Sequence, residues 1–223
     1  MATSPATQRF KTTDILRMFP SFVWKGELGR DVTESINAAL LAALAEIGAP
    51  LDLAHRESWQ SPHDLHERAP FAALAPYIHA AAASALARLK IARSDMVVTG
   101  CWANLNAPGA AHPEHSHPNN YLSGVYYVRT PAGADTIAFH DPRPQAAIMR
   151  PPVTALTADN ADEVMVRVRE GMLLLFPAWL PHSVEANAST ELRISISFNL
   201  MFAAYAETMG RPLWEPGIRS PNH

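Results

Sequence analysis

The chain has a single cysteine, Cys101, among 223 residues. No internal disulfide is available to it, and a reducing compartment is expected. Charge is also scarce. Charged residues make up 17%, the net charge is -3, and the pI is about 6.3. That balance argues against nucleic acid or an acidic membrane as a partner. No segment approaches the ~20 apolar residues of a membrane helix. The alanine-rich run near residue 80 is broken by His79, Ser84 and Arg88. The opening stretch, MATSPATQRFKTTD, lacks the apolar centre of a signal peptide. These absences predict a cytoplasmic protein. Its hydrophobic content of 48% and its length suit one domain over 1–223. What the chain has in plenty is histidine, with ten in all.

The pattern changes near residue 95. Before it, the periodicity is mainly helical. Asp31 or Thr33 is placed to cap a helix reaching Ile47, with Ile36, Leu40, Leu44 and Ile47 on one face. Gly48 and Pro50 end it. A second helical stretch runs from Pro70 to Ile91, and Pro76 can divide it in two. The segment Phe19 to Trp24 reads as an early strand. After residue 95 the pattern is β. Candidate strands are Met96–Leu105, Tyr121–Arg129, Thr136–His140, Val164–Val168, Met172–Phe176 and Leu192–Phe202. Short strands at this spacing suggest a sandwich or barrel. Asp141 to Asp162 is Pro-rich and reads as a loop over one end. The last residues, RPLWEPGIRSPNH, read as an irregular extension.

The histidines concentrate in Ala111-His-Pro-Glu-His-Ser-His-Pro-Asn-Asn-Tyr121. In an extended strand alternate residues share a face, so His115 and His117 point the same way and can hold one metal. His112 and Glu114 form a second alternating pair, on the opposite face. A third ligand has to come from elsewhere. Gly171-Met-Leu-Leu-Leu-Phe-Pro-Ala-Trp-Leu-Pro-His182 delivers one from an apolar strand through a proline-bounded turn. Three protein ligands leave coordination positions open, as a catalytic metal requires.

Beyond His182 comes Leu192-Arg-Ile-Ser-Ile-Ser-Phe-Asn199. Alternation sets Arg193, Ser195 and Ser197 on one face and Ile194, Ile196 and Phe198 on the other. The apolar set belongs between packed layers, and the polar set then lines the metal cavity. A buried arginine needs a partner. A carboxylate that arrives with a small molecule, gripped by the planar guanidinium, is the natural one.

These segments resemble a family of small 2-oxoglutarate/Fe(II)-dependent oxygenases. The resemblance rests on His115-Ser-His-Pro-Asn-Asn-Tyr-Leu-Ser-Gly-Val-Tyr-Tyr-Val128, on Phe176-Pro-Ala-Trp-Leu-Pro-His-Ser-Val184 and on Arg193-Ile-Ser-Ile-Ser-Phe-Asn199. Trp102-x-Asn104 and Phe139-His-Asp-Pro-Arg143 also fit, and Trp59-Gln-Ser61 fits more weakly. The likeness covers roughly residues 95 to 202. It implies a mainly β (α+β) fold, a double-stranded β-helix of jelly-roll or cupin-like form. A mainly helical part, 1–95, buttresses the barrel, the core spans 96–205, and 206–223 is a C-terminal extension. It implies Fe(II) on His115, His117 and His182. It also implies 2-oxoglutarate as cosubstrate, its C5 carboxylate on Arg193 and Ser195. Tyr126 and Tyr127 face opposite sides, and Tyr127 is the one expected to support that carboxylate. Asn104 is expected at the C1 carboxylate. Decarboxylation to succinate and CO2 then accompanies oxidation, usually hydroxylation, of a small-molecule or amino-acid-like substrate. The outer pocket has Arg143, Trp59, Gln60, Asp64 and Trp179 as candidates. The helices before residue 95 offer support for a homodimer.

One departure stands out. Most such oxygenases carry Asp or Glu where His117 stands. His112 with Glu114 would restore a carboxylate. Alternatively only His115 and His182 ligate, as in aspartyl/asparaginyl β-hydroxylases. Two other readings remain open. Gly109-x5-His115-x-His117 and Gly171-x5-Pro177-x4-His182 resemble the two cupin motifs, although the glutamate expected after the histidine pair is missing. A binding barrel without turnover is the other.

Overall fold

A computed structural model describes residues 12–92 and 95–208. The expected extension lies, from residue 209 on, outside the described residues. Ten strands form two antiparallel sheets. They are β1 (Trp24–Glu27), β2 (Ser58–Gln60), β3 (Met96–Asn106), β4 (His112–His115), β5 (Leu122–Arg129), β6 (Thr136–His140), β7 (Glu163–Arg167), β8 (Met172–Pro177), β9 (His182–Val184) and β10 (Arg193–Phe202). The larger sheet has the order β1-β8-β5-β10-β3-β2, and the smaller has β4-β9-β6-β7. The two face each other as a double-stranded β-helix, the fold that the motifs imply. Helices α1 (Arg30–Glu46), α2 (Ala69–Ala72) and α3 (Ala75–Arg88) precede most of the barrel, and α4 (Ala203–Ala206) follows it.

Strand β10 lies at the centre of the larger sheet, between β5 and β3. Its apolar face, Ile194, Ile196, Phe198 and Leu200, is fully buried. It shares one hydrophobic cluster with Leu40 and Leu44 of α1, Phe71 of α2, and Ile78, Ala82 and Leu86 of α3. The other face of the sheet meets the smaller sheet. There Val125, Tyr127, Leu174 and Phe176 pack against Ile137 and Phe139 in a second cluster. Gly124 stands directly opposite Phe198. A Cβ there would come within 2.4 Å of the Phe198 ring and 2.6 Å of the Leu174 carbonyl oxygen. The Ser-Gly-Val turn of sequence is thus a steric necessity for the ring above it.

A buried polar bridge fastens α1 to the barrel. The Tyr126 hydroxyl donates to Asn37 Oδ1 at 2.8 Å, and Asn37 Nδ2 donates to the Val128 carbonyl at 2.9 Å. Both side chains are buried.

Several sequence expectations shift. The early strand begins at Trp24, not Phe19; Phe19 has φ 55° and is 93% exposed. The cap of α1 is Gly29, with no side-chain hydrogen bond, so neither Asp31 nor Thr33 caps it. Pro76 does divide the second helical stretch, falling in the first turn of α3. The expectation that no segment is apolar enough to span a membrane is corrected. Within Ala69–Arg88, across α2 and α3, a window of 18 residues reaches a mean hydropathy of 1.3, enough by length and composition alone. A third of that stretch is buried in the protein, and Phe71, Leu74, Ile78, Ala82, Ala85 and Leu86 spend its apolar face on the larger sheet.

Replacing Asn37 with alanine strands the Tyr126 hydroxyl and the Val128 carbonyl. Unmade buried hydrogen bonds cost about 1–3 kcal/mol. Chemical denaturation of Asn37→Ala should show a loss of about 2 kcal/mol, with metal affinity unchanged.

Candidate metal centre and cosubstrate cavity

His115 ends β4, His182 opens β9, and the two are cross-strand partners. His117 follows β4 and is pinned by its backbone N–H, which donates to the Ala178 carbonyl at 2.9 Å in the turn after β8. The three imidazoles meet. Their candidate ligand atoms all lie within 4.8 Å of one another, the only such cluster among the described residues. Imidazole nitrogens held about 2.1 Å from a divalent ion stand at most roughly 4.2 Å apart. Small side-chain rotations therefore bring the set to ligand spacing. His182 is buried, His117 partly so, and His115 exposed, so the centre sits at the barrel mouth.

Two of the tautomers are set by carbonyl groups. His115 Nδ1 lies 2.8 Å from the Pro113 carbonyl oxygen, and His182 Nδ1 lies 3.0 Å from that of Leu180. A carbonyl only accepts, so each Nδ1 carries the hydrogen and each Nε2 keeps its lone pair for a metal. Burial, reinforced by the neighbouring histidines, lowers His117 to about 3. Burial likewise lowers His182 to about 4. Neutral imidazole is the form that ligates.

Beneath the histidines lies a partly open cavity of about 60 Å³. The alternating face of β10 lines it, with Arg193, Ser195 and Ser197 pointing inward as the sequence predicts. Ser195 stands in register between Asn104 on β3 and Tyr127 on β5, so the three form one row across the sheet. Arg193 is 3% exposed, and its Nε donates to the Ala134 carbonyl at 3.1 Å. Its guanidinium lies over the Tyr127 ring, 5.3 Å from the centroid. Among the described residues no carboxylate lies within ion-pair distance of it. Among the described residues the buried Tyr127 hydroxyl has no partner besides the adjacent Arg193 guanidinium, and the side-chain amide of Asn106, whose backbone pairs with Arg193, has none. Tyr126 points the other way, to Asn37. This end of the cavity has a fixed positive charge and unmatched polar atoms, which suits an anionic ligand.

Sequence reasoning missed a polar chain beside this row. Gln60 Nε2 donates to Asn104 Oδ1 at 2.8 Å, and Asn104 Nδ2 donates to Ser197 Oγ at 2.9 Å. Ser197 accepts there, so its own hydrogen is free for the cavity. Of the five outer-pocket candidates only Gln60 lines the cavity. Trp59 packs on the outer cluster, Asp64 pairs with Arg68, Arg143 pairs with Asp141, and Trp179 is largely exposed.

The expected opposition of His112 and His115 is also corrected. A register shift between them makes both line the cavity. Glu114 is turned out, its side chain 59% exposed and 3.9 Å from His140 Nδ1. It lies outside the histidine cluster, so the alternative ligand pair of His112 with Glu114 has no support in the geometry.

A double-stranded β-helix with an open histidine centre above a cationic cavity defines a class, the metal-dependent oxygenases of this fold. Residues 100–199, somewhat under half of the chain, match the model of the family described as "Putative 2OG-Fe(II) oxygenase". Solved structures share its fold. The epimerase SnoN, in complex with Fe3+, alpha-ketoglutarate and nogalamycin RO, is 17% identical over 90% of this chain and 88% of its own, with a TM-score of 0.57. A Pseudomonas putida prolyl-4-hydroxylase is 16% identical over 81% and 92%, with a TM-score of 0.56. HygX from Streptomyces hygroscopicus, with nickel and 2-oxoglutarate bound, is 12% identical over 82% and 83%, with a TM-score of 0.54. At these identities the likeness is one of fold. No curated protein matches the sequence.

The lowered histidines set a pH dependence in the metal-free protein. The unfolded chain takes up protons below about 6.5, whereas folded His117 and His182 resist until about 3 and about 4. Unfolding therefore gains protons across that window, and stability falls as pH drops from 6.5 toward 4. Thermal melts of metal-free protein should show this decline, and His117→Gln should flatten it.

Proposed function

We propose that His115, His117 and His182 hold Fe(II), and that Arg193, Ser195 and Tyr127 hold the C5 carboxylate of 2-oxoglutarate. In this reading Asn104 faces the C1 carboxylate and the enzyme hydroxylates a small-molecule or amino-acid-like substrate. Oxygenases of this class act on small molecules and peptides. The observation that carries the reading is the buried Arg193, with no carboxylate of its own, on the wall of the cavity that the three histidines cap.

When bound, Fe(II) supplies the redox chemistry by which 2-oxoglutarate, O2 and a C–H substrate become succinate, CO2 and an alcohol. The chain's own residues do the holding. Arg193 offers two parallel N–H groups to a carboxylate, and the Tyr127 hydroxyl and Ser195 add a donor each. Gln60 fixes the Asn104 amide, which in turn sets the Ser197 hydroxyl. Val125, Ile137 and Phe176 line the cavity between the polar rows. His182 and His115 are held in the ligating tautomer from outside. The fourth cupin ligand is missing after His117, where Pro118, Asn119 and Asn120 stand. With a buried thiol pushed up to about 12 and no disulfide, the chain suits a cytoplasmic setting, with neither nucleic acid nor membrane as partner. A homodimer would use the helical side.

Purified protein with Fe(II), ascorbate and O2 should convert 2-oxoglutarate to succinate slowly even without substrate. Arg193→Ala should raise the 2-oxoglutarate KM at least about tenfold, as expected for a lost charged hydrogen bond. Unchanged turnover in that variant would sink the cosubstrate assignment. In metal titrations His117→Ala should lose affinity at least about tenfold while Glu114→Ala keeps it. The reverse result would replace the three-histidine set.

A further inference from the structure

Strand β4 brings a fourth histidine to the cavity, and neither the metal nor the arginine grip uses it. His112 and His115 are three residues apart, so in a regular strand they would face opposite sides. Opposite them, β9 advances only from Val184 to His182. The extra residue in β4 makes a bulge, and both histidines face inward. Pro113, which has no N–H to give the ladder, sits in the bulged stretch, one of the few places a sheet tolerates proline. The same Pro113 supplies the carbonyl that orients His115. One local irregularity therefore sets the metal ligand's tautomer and turns His112 into the cavity.

Three facts bear on what His112 does. It lies outside the cluster of candidate ligand atoms, so it is not a fourth metal ligand. It lines the same cavity as Arg193 at one end and as His115, His117 and His182 at the other. No described residue hydrogen-bonds its ring, although it is largely enclosed. A half-buried imidazole with an unused N–H, between a cationic grip and a metal centre, matches an acceptor that arrives with a ligand.

We propose that His112 binds the cosubstrate directly: its imidazole N–H donates to an oxygen of 2-oxoglutarate lying between Arg193 and the three-histidine centre. This rests on the assignment of Arg193 as the cosubstrate grip. Arg193 fixes one end of an extended dicarboxylate, and His112 fixes the position of the chain leaving it. The bulge is what puts a donor there, since a regular strand would turn the ring to the outside of the smaller sheet.

The test is binding, not turnover. Protein loaded with Ni(II), a redox-inert stand-in, is titrated with 2-oxoglutarate by calorimetry, and metal-free protein is titrated with Ni(II). His112→Phe keeps the ring volume and removes the donor. It should weaken 2-oxoglutarate binding about ten- to a hundredfold, the range of a hydrogen bond to a charged group. Its Ni(II) affinity should stay within about twofold of wild type, and His112→Gln, which keeps a donor, should recover most of the loss. Wild-type 2-oxoglutarate affinity in His112→Phe overturns the proposal. So does a tenfold or greater loss of Ni(II) affinity, which would make His112 a ligand. Should His112→Phe not fold, His112→Asn, which has a shorter reach, carries the same expectation. Arg193→Ala runs in parallel. If it binds 2-oxoglutarate like wild type, the grip itself falls and this inference with it. If it loses binding while His112→Phe does not, only the role of His112 falls.

Discussion

A guanidinium that is 3% exposed and has, among the described residues, no carboxylate to neutralise it is the constraint on which this molecule turns. A buried unpaired charge is among the least favourable things a fold can contain, and the penalty reaches several kcal/mol. Here the protein offers only partial relief, through one carbonyl on Nε and the face of Tyr127. The rest is left for a ligand. The surrounding structure makes that tolerable by rigidity. Arg193 sits on the central strand of the larger sheet, whose opposite face is sealed by α1, α2 and α3 through Ile194, Ile196 and Phe198. The helices therefore do functional work at a distance, since they hold the strand that carries the charge.

The same economy governs the histidine centre. Imidazoles this close together would repel if protonated, and burial together with the neighbouring histidines keeps His117 and His182 neutral. Two are held by carbonyl groups two residues back in their own segments, Pro113 for His115 and Leu180 for His182. The setting differs between them: His115 lies in the bulged strand β4, two residues after Pro113, and His182 follows the proline-bounded turn after β8. The metal site is thus built from short-range geometry within two segments. Only the pairing of β4 with β9 is needed to bring them together.

Much of this was legible in the residues. Alternation in β10 sorted the inward Arg193, Ser195 and Ser197 from the outward Ile194, Ile196 and Phe198, and the cavity follows that sorting. Parity set Tyr126 and Tyr127 on opposite faces, and only the family resemblance favoured Tyr127. Parity failed at β4, because a bulge breaks the period and the period was the only signal in use. The proline at its centre was the available clue. Phe19 failed for a related reason: an aromatic-rich run reads as a strand, yet nothing in the run reveals that φ turns positive at its first residue. The chain from Gln60 through Asn104 to Ser197 was invisible since it joins three strands that only the sheet order makes neighbours. The five-residue guess for the outer pocket fared poorly because large polar residues near a mouth pair readily with each other, as Arg143 does with Asp141 and Asp64 with Arg68.

The most unusual feature remains the histidine at 117 where related enzymes carry a carboxylate. In the proposed three-histidine set a neutral third ligand would leave the metal its full double charge, strengthening its hold on a dianionic cosubstrate and weakening its preference for Fe(II) over other ions that favour imidazole. Glu114, the carboxylate of this strand, is turned outward by the bulge that turns His112 inward, and it sits with Glu163 beside His140. Swapping the two would need the bulge undone, and that would remove His115 from its place opposite His182. The carboxylate is therefore excluded by the same backbone irregularity that assembles the site, and the negative charge the metal requires has to come from what it binds.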